Sequence, residues 1–229
     1  MKILVVGFQR GGTTLLNRLI NFHPDVVKNF HEKRFLLHYL TKEKLFTYLQ
    51  TQNIDPNKDN WGDKVPFYPS VFPGGAKSYI NYCKKWLKLG EDTRIIYITR
   101  HPIDIAISTK KFNWCKNLEE VIKYYSDFTI PSLEQFQQLK KGMIISFETL
   151  VTYPNDSLSE IYSFCNLNSS PDLIHKILNT KTANWGKHQN YVDGSRAFAY
   201  KKFKNLQINC KIPKYSEIRK MESLYKKGV

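Results

Sequence analysis

Long apolar runs are missing from this chain. No stretch of the 229 residues approaches the about 20 apolar residues that span a bilayer. Met1-Lys2 is followed by only six apolar or small residues, Ile3 to Phe8, before Gln9 and Arg10. That is short of the apolar core of about 7–15 residues in a secretory signal. A cytoplasmic protein with no membrane span is expected. Cysteine is also scarce. Cys83, Cys115, Cys165 and Cys210 form no C-x-x-C pair and read as free thiols in a reducing compartment. The six histidines lack ligand spacing such as H-E-x-x-H, so no metal is expected. Acidic residues are the last shortage. Against 35 Lys and Arg there are 20 Asp and Glu, a net charge of +15. A field of that sign favours an anionic partner. Basic residues thicken from Lys201 to Lys227, but no nucleic-acid-binding motif accompanies them, and no nucleic-acid partner is expected.

What is present begins at Gly7. The run Ile3-Leu4-Val5-Val6 leads into Gly7-Phe8-Gln9-Arg10-Gly11-Gly12-Thr13-Thr14 and then Leu15-Leu16. A buried strand, a Gly-rich turn and a helix start are predicted. The spacing is that of a phosphate-binding P-loop, G-x-x-x-x-G-K-[ST], with Thr13 in the Lys position. That Lys reaches the β- and γ-phosphates of a triphosphate. Without it the turn can still hold one anionic group with backbone N–H groups and a helix N-terminus. Arg10 inside the turn suits an anion better than it suits a bare structural turn. The turn therefore asks for a nucleotide with one phosphate-like group at its 5′ end.

The rest of the chain alternates between strand and helix patterns. Strands are predicted at 3–7, 94–99 and 143–147. Helices are predicted at 13–22, 34–50, from Gly74-Gly75 to about Leu89, 102–111, 117–138, 155–166 and 171–179. A polar loop is predicted over Asn53 to Asn60. Continuous β-branched runs separated by helices indicate an α/β fold with a central parallel sheet covered on both faces. With no internal repeat and no linker, residues 1–229 read as a single P-loop-like domain.

A second constellation is Arg100-His101-Pro102-Ile103-Asp104-Ile105-Ala106-Ile107-Ser108. Arg100 ends a strand, and a helix carries Asp104 and Ser108 four residues apart on one face. Ligands of open parallel sheets bind beyond the carboxyl ends of the strands. Both the Gly7–Thr14 turn and Arg100 stand at such ends. A local salt bridge from Arg100 to Asp104 is the plain alternative.

Together the two segments resemble the sulfotransferases that use 3′-phosphoadenosine 5′-phosphosulfate (PAPS). Arg100 to Ser108 is similar to that family's R-D-P-x-D-x-x-x-S, with His101 in the usual Asp place. Asn21-Phe22-His23-Pro24-Asp25-Val26, Trp61-Gly62-Asp63-Lys64-Val65-Pro66 and residues 145–167 also resemble family segments. The resemblance implies that Arg10, Gly11, Gly12, Thr13 and Thr14 hold the 5′-phosphosulfate. It implies that Arg100 and Ser108 bind the 3′-phosphate, and that Arg10 and Lys64 meet charge on the transferred group. The product would be adenosine 3′,5′-bisphosphate (PAP). Phe147 stands where the family has an aromatic residue beside the adenine, with plain core as the preferred reading. Pro66 stands in the place of the His base of small-molecule enzymes. Glu32 is the expected base and His31 its rival, and a solvated loop face would leave neither. A late loop containing Lys187, Gly194, Ser195 and Arg196 is expected to cover the cofactor. The acceptor is expected to carry a hydroxyl or amine, and the net charge favours an acidic glycan or peptide. Two other classes remain open, a P-loop nucleotide kinase and a non-catalytic anion- or nucleic-acid-binding module.

Overall fold

A computed structural model describes residues 1–39, 41–110 and 117–180. In chain order the elements are β1 Lys2–Phe8, α1 Thr13–Asn21, β2 Val26–His31, α2 Phe35–His38, α3 Lys42–Thr51, β3 Asn60–Phe67 and α4 Gly75–Leu87. Then come β4 Thr93–Thr99, α5 Pro102–Lys110, α6 Leu118–Phe136, β5 Gly142–Ser146, α7 Phe147–Thr152, α8 Pro154–Phe164 and α9 Pro171–Leu178. The strands form one parallel sheet in the order β2-β3-β1-β4-β5.

Alternation along the strands sends side chains to two cores. Leu4, Val6 and Phe8 of β1 pack with Ile95 and Tyr97 of β4 under α3, α4 and α6. Ile3 and Val5 pack with Ile96 and Ile98 under α1, α7, α8 and α9. Both faces are covered, as the α/β expectation requires. From β1 the chain moves to one side of the sheet, and from β4 it moves to the other. The crevice between the carboxyl ends of β1 and β4 is therefore a topological switch point, the place where such sheets bind ligands.

Three expectations need correction. Among the described residues the sheet has five strands where the sequence predicts three, because β2 and β3 carry weak strand patterns. Gly62, Asp63, Lys64 and Pro66 are poor strand formers, but that preference spans only about 1 kcal/mol. Burying a large apolar side chain contributes about 1.5–3 kcal/mol. Trp61, Val65 and Phe67 are all at most 1% exposed, so packing wins. Pro66 loses no ladder bond. The Glu32 N–H reaches the Lys64 carbonyl at 2.9 Å, so Pro66 faces the same side, where β2 has already ended. The helix expected over 34–50 is two helices, split where Tyr39 is extended and Thr41 caps α3 by accepting from the Lys44 N–H. Phe147 opens the short helix α7 instead of ending β5.

Tyr79 of α4 ties β1 to β3 at the start of the Gly-rich turn. Its buried hydroxyl accepts from the Gly7 N–H at 2.8 Å and donates to the Val65 carbonyl at 2.6 Å. Removing the hydroxyl leaves buried backbone groups without a partner. Tyr79→Phe should therefore cost about 1–3 kcal/mol of stability. Urea unfolding measures this, and an unchanged midpoint would show that the bridge contributes nothing.

Candidate active site

The turn between β1 and α1 is shaped for a small anion. Gly12 is the N-cap of α1 at φ +105°, and no side chain caps the helix. The N–H groups of the first turn thus lack a side-chain partner at this end, where the helix dipole is positive. Gly11 differs from expectation. Its N–H donates to the Phe8 carbonyl at 2.9 Å and closes the turn, so the available N–H groups start at Gly12. A Cβ on Gly12 would lie 2.5 Å from Phe147 Cδ2. Position 12 therefore requires glycine for its conformation and for its packing.

Arg10 sits in the left-handed region at φ +64°. Its Nε donates to Ser108 Oγ at 3.0 Å, and its carbonyl accepts from Arg100 Nη1 at 3.2 Å. The two phosphate-type motifs, 90 residues apart in sequence at Arg10 and Arg100, thus meet at the β1–β4 crevice. The Arg100 guanidinium lies 4.3 Å from the centre of the Phe147 ring, a cation–π contact. Phe147 is buried at 6% exposure within the second core, in keeping with the core reading. It also fills the space between Gly12 and Arg100.

The third part of the site surrounds Lys64. This side chain lies on β3, between β2 and β1, and is 1% exposed. Its ammonium lies 2.7 Å from Glu32 Oε1, 3.1 Å from Thr14 Oγ1 and 3.0 Å from His31 Nε2. An ammonium has three donors and no acceptor. His31 Nε2 must therefore accept, which makes the ring neutral with its proton on Nδ1. Burial lowers the Lys64 pKa, and the hydrogen bond and charge of Glu32 oppose that shift. Burial and then the Lys64 charge hold His31 below its ordinary 6.5. Glu32 also faces Arg34 Nη2 at 3.6 Å and the Tyr68 hydroxyl at 3.5 Å. Burial and the Glu32 charge push Tyr68 up to about 12, so it remains a hydrogen-bond donor at neutral pH.

A family model described as a sulfotransferase domain matches residues 1–201. The chain belongs to the sulfotransferase family. The family expected from the two phosphate motifs is the family found, and it makes this chain an enzyme of that class. No curated protein matches the sequence. Among solved structures, the sulfotransferase domain from the curacin biosynthetic pathway is 18% identical with a TM-score of 0.63, covering 98% of this chain and 96% of that one. The sulfotransferase domain of a Synechococcus olefin synthase is 13% identical with a TM-score of 0.65, covering 99% and 94%. Mouse sulfotransferase SULT7A1 complexed with PAP is 16% identical with a TM-score of 0.56, covering 100% and 89%. At such identities the likeness is one of fold.

In this sulfotransferase Arg10 contacts Ser108 and Arg100, Gly11, Gly12, Thr13 and Thr14 form the turn and helix start that follow it, and Lys64 contacts Thr14, Glu32 and His31. Lys187, Gly194, Ser195 and Arg196 lie outside the described residues. Sequence reasoning missed Tyr68 and Arg34, which contact Glu32. Arg34 stands two residues after Glu32, where it resembles the Arg of a family E-T-R segment, and Tyr68 stands two residues after Pro66 of the Trp61–Pro66 segment; only those positions could have pointed to them. Among the described residues there is no group of three or more His, Cys, Asp or Glu side chains that could hold a metal ion. No described helix is long and apolar enough to cross a membrane.

The Lys64 charge beside His31 has a measurable effect. Lys64→Met should raise the His31 pKa, read by NMR titration of the ring protons. An unchanged pKa would contradict the contact. The sign for stability follows from proton binding. The unfolded chain takes up the His31 proton near pH 6.5, above the lowered folded pKa. This site therefore costs stability as pH falls through 6.5, and Lys64→Met should reduce that loss.

Proposed function

We propose that this sulfotransferase uses PAPS as donor and transfers its sulfuryl group to a hydroxyl or amine of an acceptor. The observation that carries the reading is the Lys64 ammonium, which touches both Thr14 of the anion-binding turn and the Glu32 carboxylate. A carboxylate next to the anion-binding turn supports a proton acceptor at the donor's 5′ end. The described residues fit the donor. An uncapped helix N-terminus suits a single 5′-phosphosulfate. The Arg100 guanidinium and the Ser108 hydroxyl, brought together by their contacts with Arg10, suit a 3′-phosphate. Mouse SULT7A1, which has the same fold, was crystallised with PAP.

In this reading the N–H groups of Gly12, Thr13 and Thr14 hold the 5′ end, and Arg100 and Ser108 hold the 3′-phosphate. Bound PAPS supplies an activated sulfuryl group and leaves as PAP. Glu32 takes the acceptor proton on the face opposite the leaving group. Arg10 and Lys64 meet the negative charge that develops on the bridging oxygen. Glu32 is preferred over His31 because Lys64 engages the one acceptor nitrogen of a neutral His31 ring, whereas it engages only Oε1 of Glu32 and leaves the second carboxylate oxygen to accept a proton. No step needs a metal.

The acceptor has two candidate chemistries. The net charge of +15 favours an acidic glycan or peptide, but that field belongs to the whole chain. Closer to Glu32 the surroundings include an aromatic ring. The Tyr68 hydroxyl contacts the carboxylate, and the Arg34 guanidinium lies over the Tyr68 ring at 5.4 Å. A ring beside the carboxylate favours an apolar or aromatic small molecule. A retinol dehydratase with a TM-score of 0.51 was crystallised with androsterone and PAP.

Two measurements test the reading. PAP should bind far better than 5′-AMP or ATP by calorimetry, and Arg100→Ala should erase that preference at a cost of about 2–5 kcal/mol. Equal affinity for PAP and 5′-AMP would remove the 3′-phosphate site. Glu32→Gln should leave PAP affinity nearly unchanged and lower turnover by roughly 10²–10⁴-fold. Normal turnover in Glu32→Gln with none in His31→Ala would move the role to His31.

A further inference from the structure

Glu32 and Arg34 both occupy the left-handed region, at φ +60° and +53°. Neither is glycine or asparagine, so each carries a conformational cost that something must offset. The offset lies beneath them. Asp63 of β3 is 0% exposed. Its Oδ1 accepts the N–H of Lys33 at 3.1 Å and that of Lys64 at 2.8 Å. Its Oδ2 accepts the N–H of Arg34 at 2.6 Å. A buried carboxylate is costly unless its oxygens are hydrogen-bonded. Here its acceptors are filled by backbone donors, two of them from the turn that follows Glu32.

Strand alternation adds a second consequence. Asp63 and Lys64 are consecutive on β3 and point to opposite faces of the sheet. Asp63 fixes the backbone of the turn from one face, and Lys64 holds the Glu32 carboxylate from the other. We infer that Asp63 is a positioning residue for the sulfuryl-transfer reaction, holding the 32–34 turn so that Glu32 faces Lys64 and Thr14. The inference rests on Glu32 being the base.

Asn at position 63 keeps the shape but turns an N–H₂ group toward backbone donors, so at least one of the three bonds is lost. Asp63→Asn should lower kcat by roughly 10–100-fold, the scale of a small misplacement of a reacting group. PAP affinity and the KM for PAPS should change less than about twofold, because the anion-binding turn lies on other elements. The deciding readout is a double-mutant cycle with Glu32→Gln. If Asp63 acts through Glu32, adding Asp63→Asn to the Glu32→Gln enzyme changes kcat little. An equal further loss in that background would overturn the inference and leave Glu32 as base. Wild-type turnover in Glu32→Gln alone would overturn the base assignment, and this inference with it. Normal kcat in a folded Asp63→Asn enzyme would also overturn it. Should Asp63→Asn fail to fold, amide exchange in the wild-type protein decides. Slow exchange of the Lys33 and Arg34 N–H groups is expected, and exchange at the rate of an exposed loop would contradict the anchoring.

Discussion

The buried Lys64 ammonium, carried by β3, donates to groups at the end of β2 and the start of α1, so the carboxyl ends of β2 and β3 and the first turn of α1 are tied together. It sits at the end of β2 through Glu32 and His31, and at the start of α1 through Thr14. Taking one ammonium out of water is expensive, and only a full set of hydrogen bonds with a close counter-charge makes it tolerable. Removing the carboxylate partner would leave a buried charge uncompensated. The same geometry confines the chemistry. The proposed proton acceptor and the proposed anion-binding turn, separated in sequence by α1, β2 and the loop between them, share one donor.

Around that contact the site is built from backbone as much as from side chains. The anion end relies on N–H groups of an uncapped helix, reached by a glycine whose Cβ would collide with Phe147. The Glu32 end relies on a turn with two left-handed residues, whose N–H groups at Lys33 and Arg34 donate to the Asp63 carboxylate. Both ends hang from the β1–β3 seam, where the Tyr79 hydroxyl joins Gly7 to Val65. Arg10 and Arg100 meet at the switch-point crevice on the far side of β1. Two like charges there repel one another, a cost that a bound anion would reverse.

The parts of this arrangement that could be read in the sequence are those with local causes. The Gly7–Thr14 turn declares itself through glycine spacing, and β1, β4 and β5 through unbroken β-branched runs. The pairing of Arg100 with Ser108 on a strand end and the following helix is also local. β2 and β3 were illegible because Asn29, Gly62, Asp63, Lys64 and Pro66 carry little strand preference. They are strands because they pair with neighbours far away in the chain. The Glu32–Lys64–Thr14 contact depends on the strand order β2-β3-β1, which no residue pattern encodes. The closing of the Gly11 N–H on Phe8 and the anchoring by Asp63 are hydrogen bonds of the folded backbone. They leave no trace in residue type beyond a lone acid in a buried run.

The most direct test of the account is a crystal structure of the enzyme with PAP. The 5′-phosphate should lie against the N–H groups of Gly12, Thr13 and Thr14, and the 3′-phosphate against Arg100 and Ser108. The Glu32 carboxylate should face the open side of the 5′-phosphate. A bisphosphate bound away from the β1–β4 crevice, or bound there with its 3′-phosphate turned from Arg100, would contradict the account.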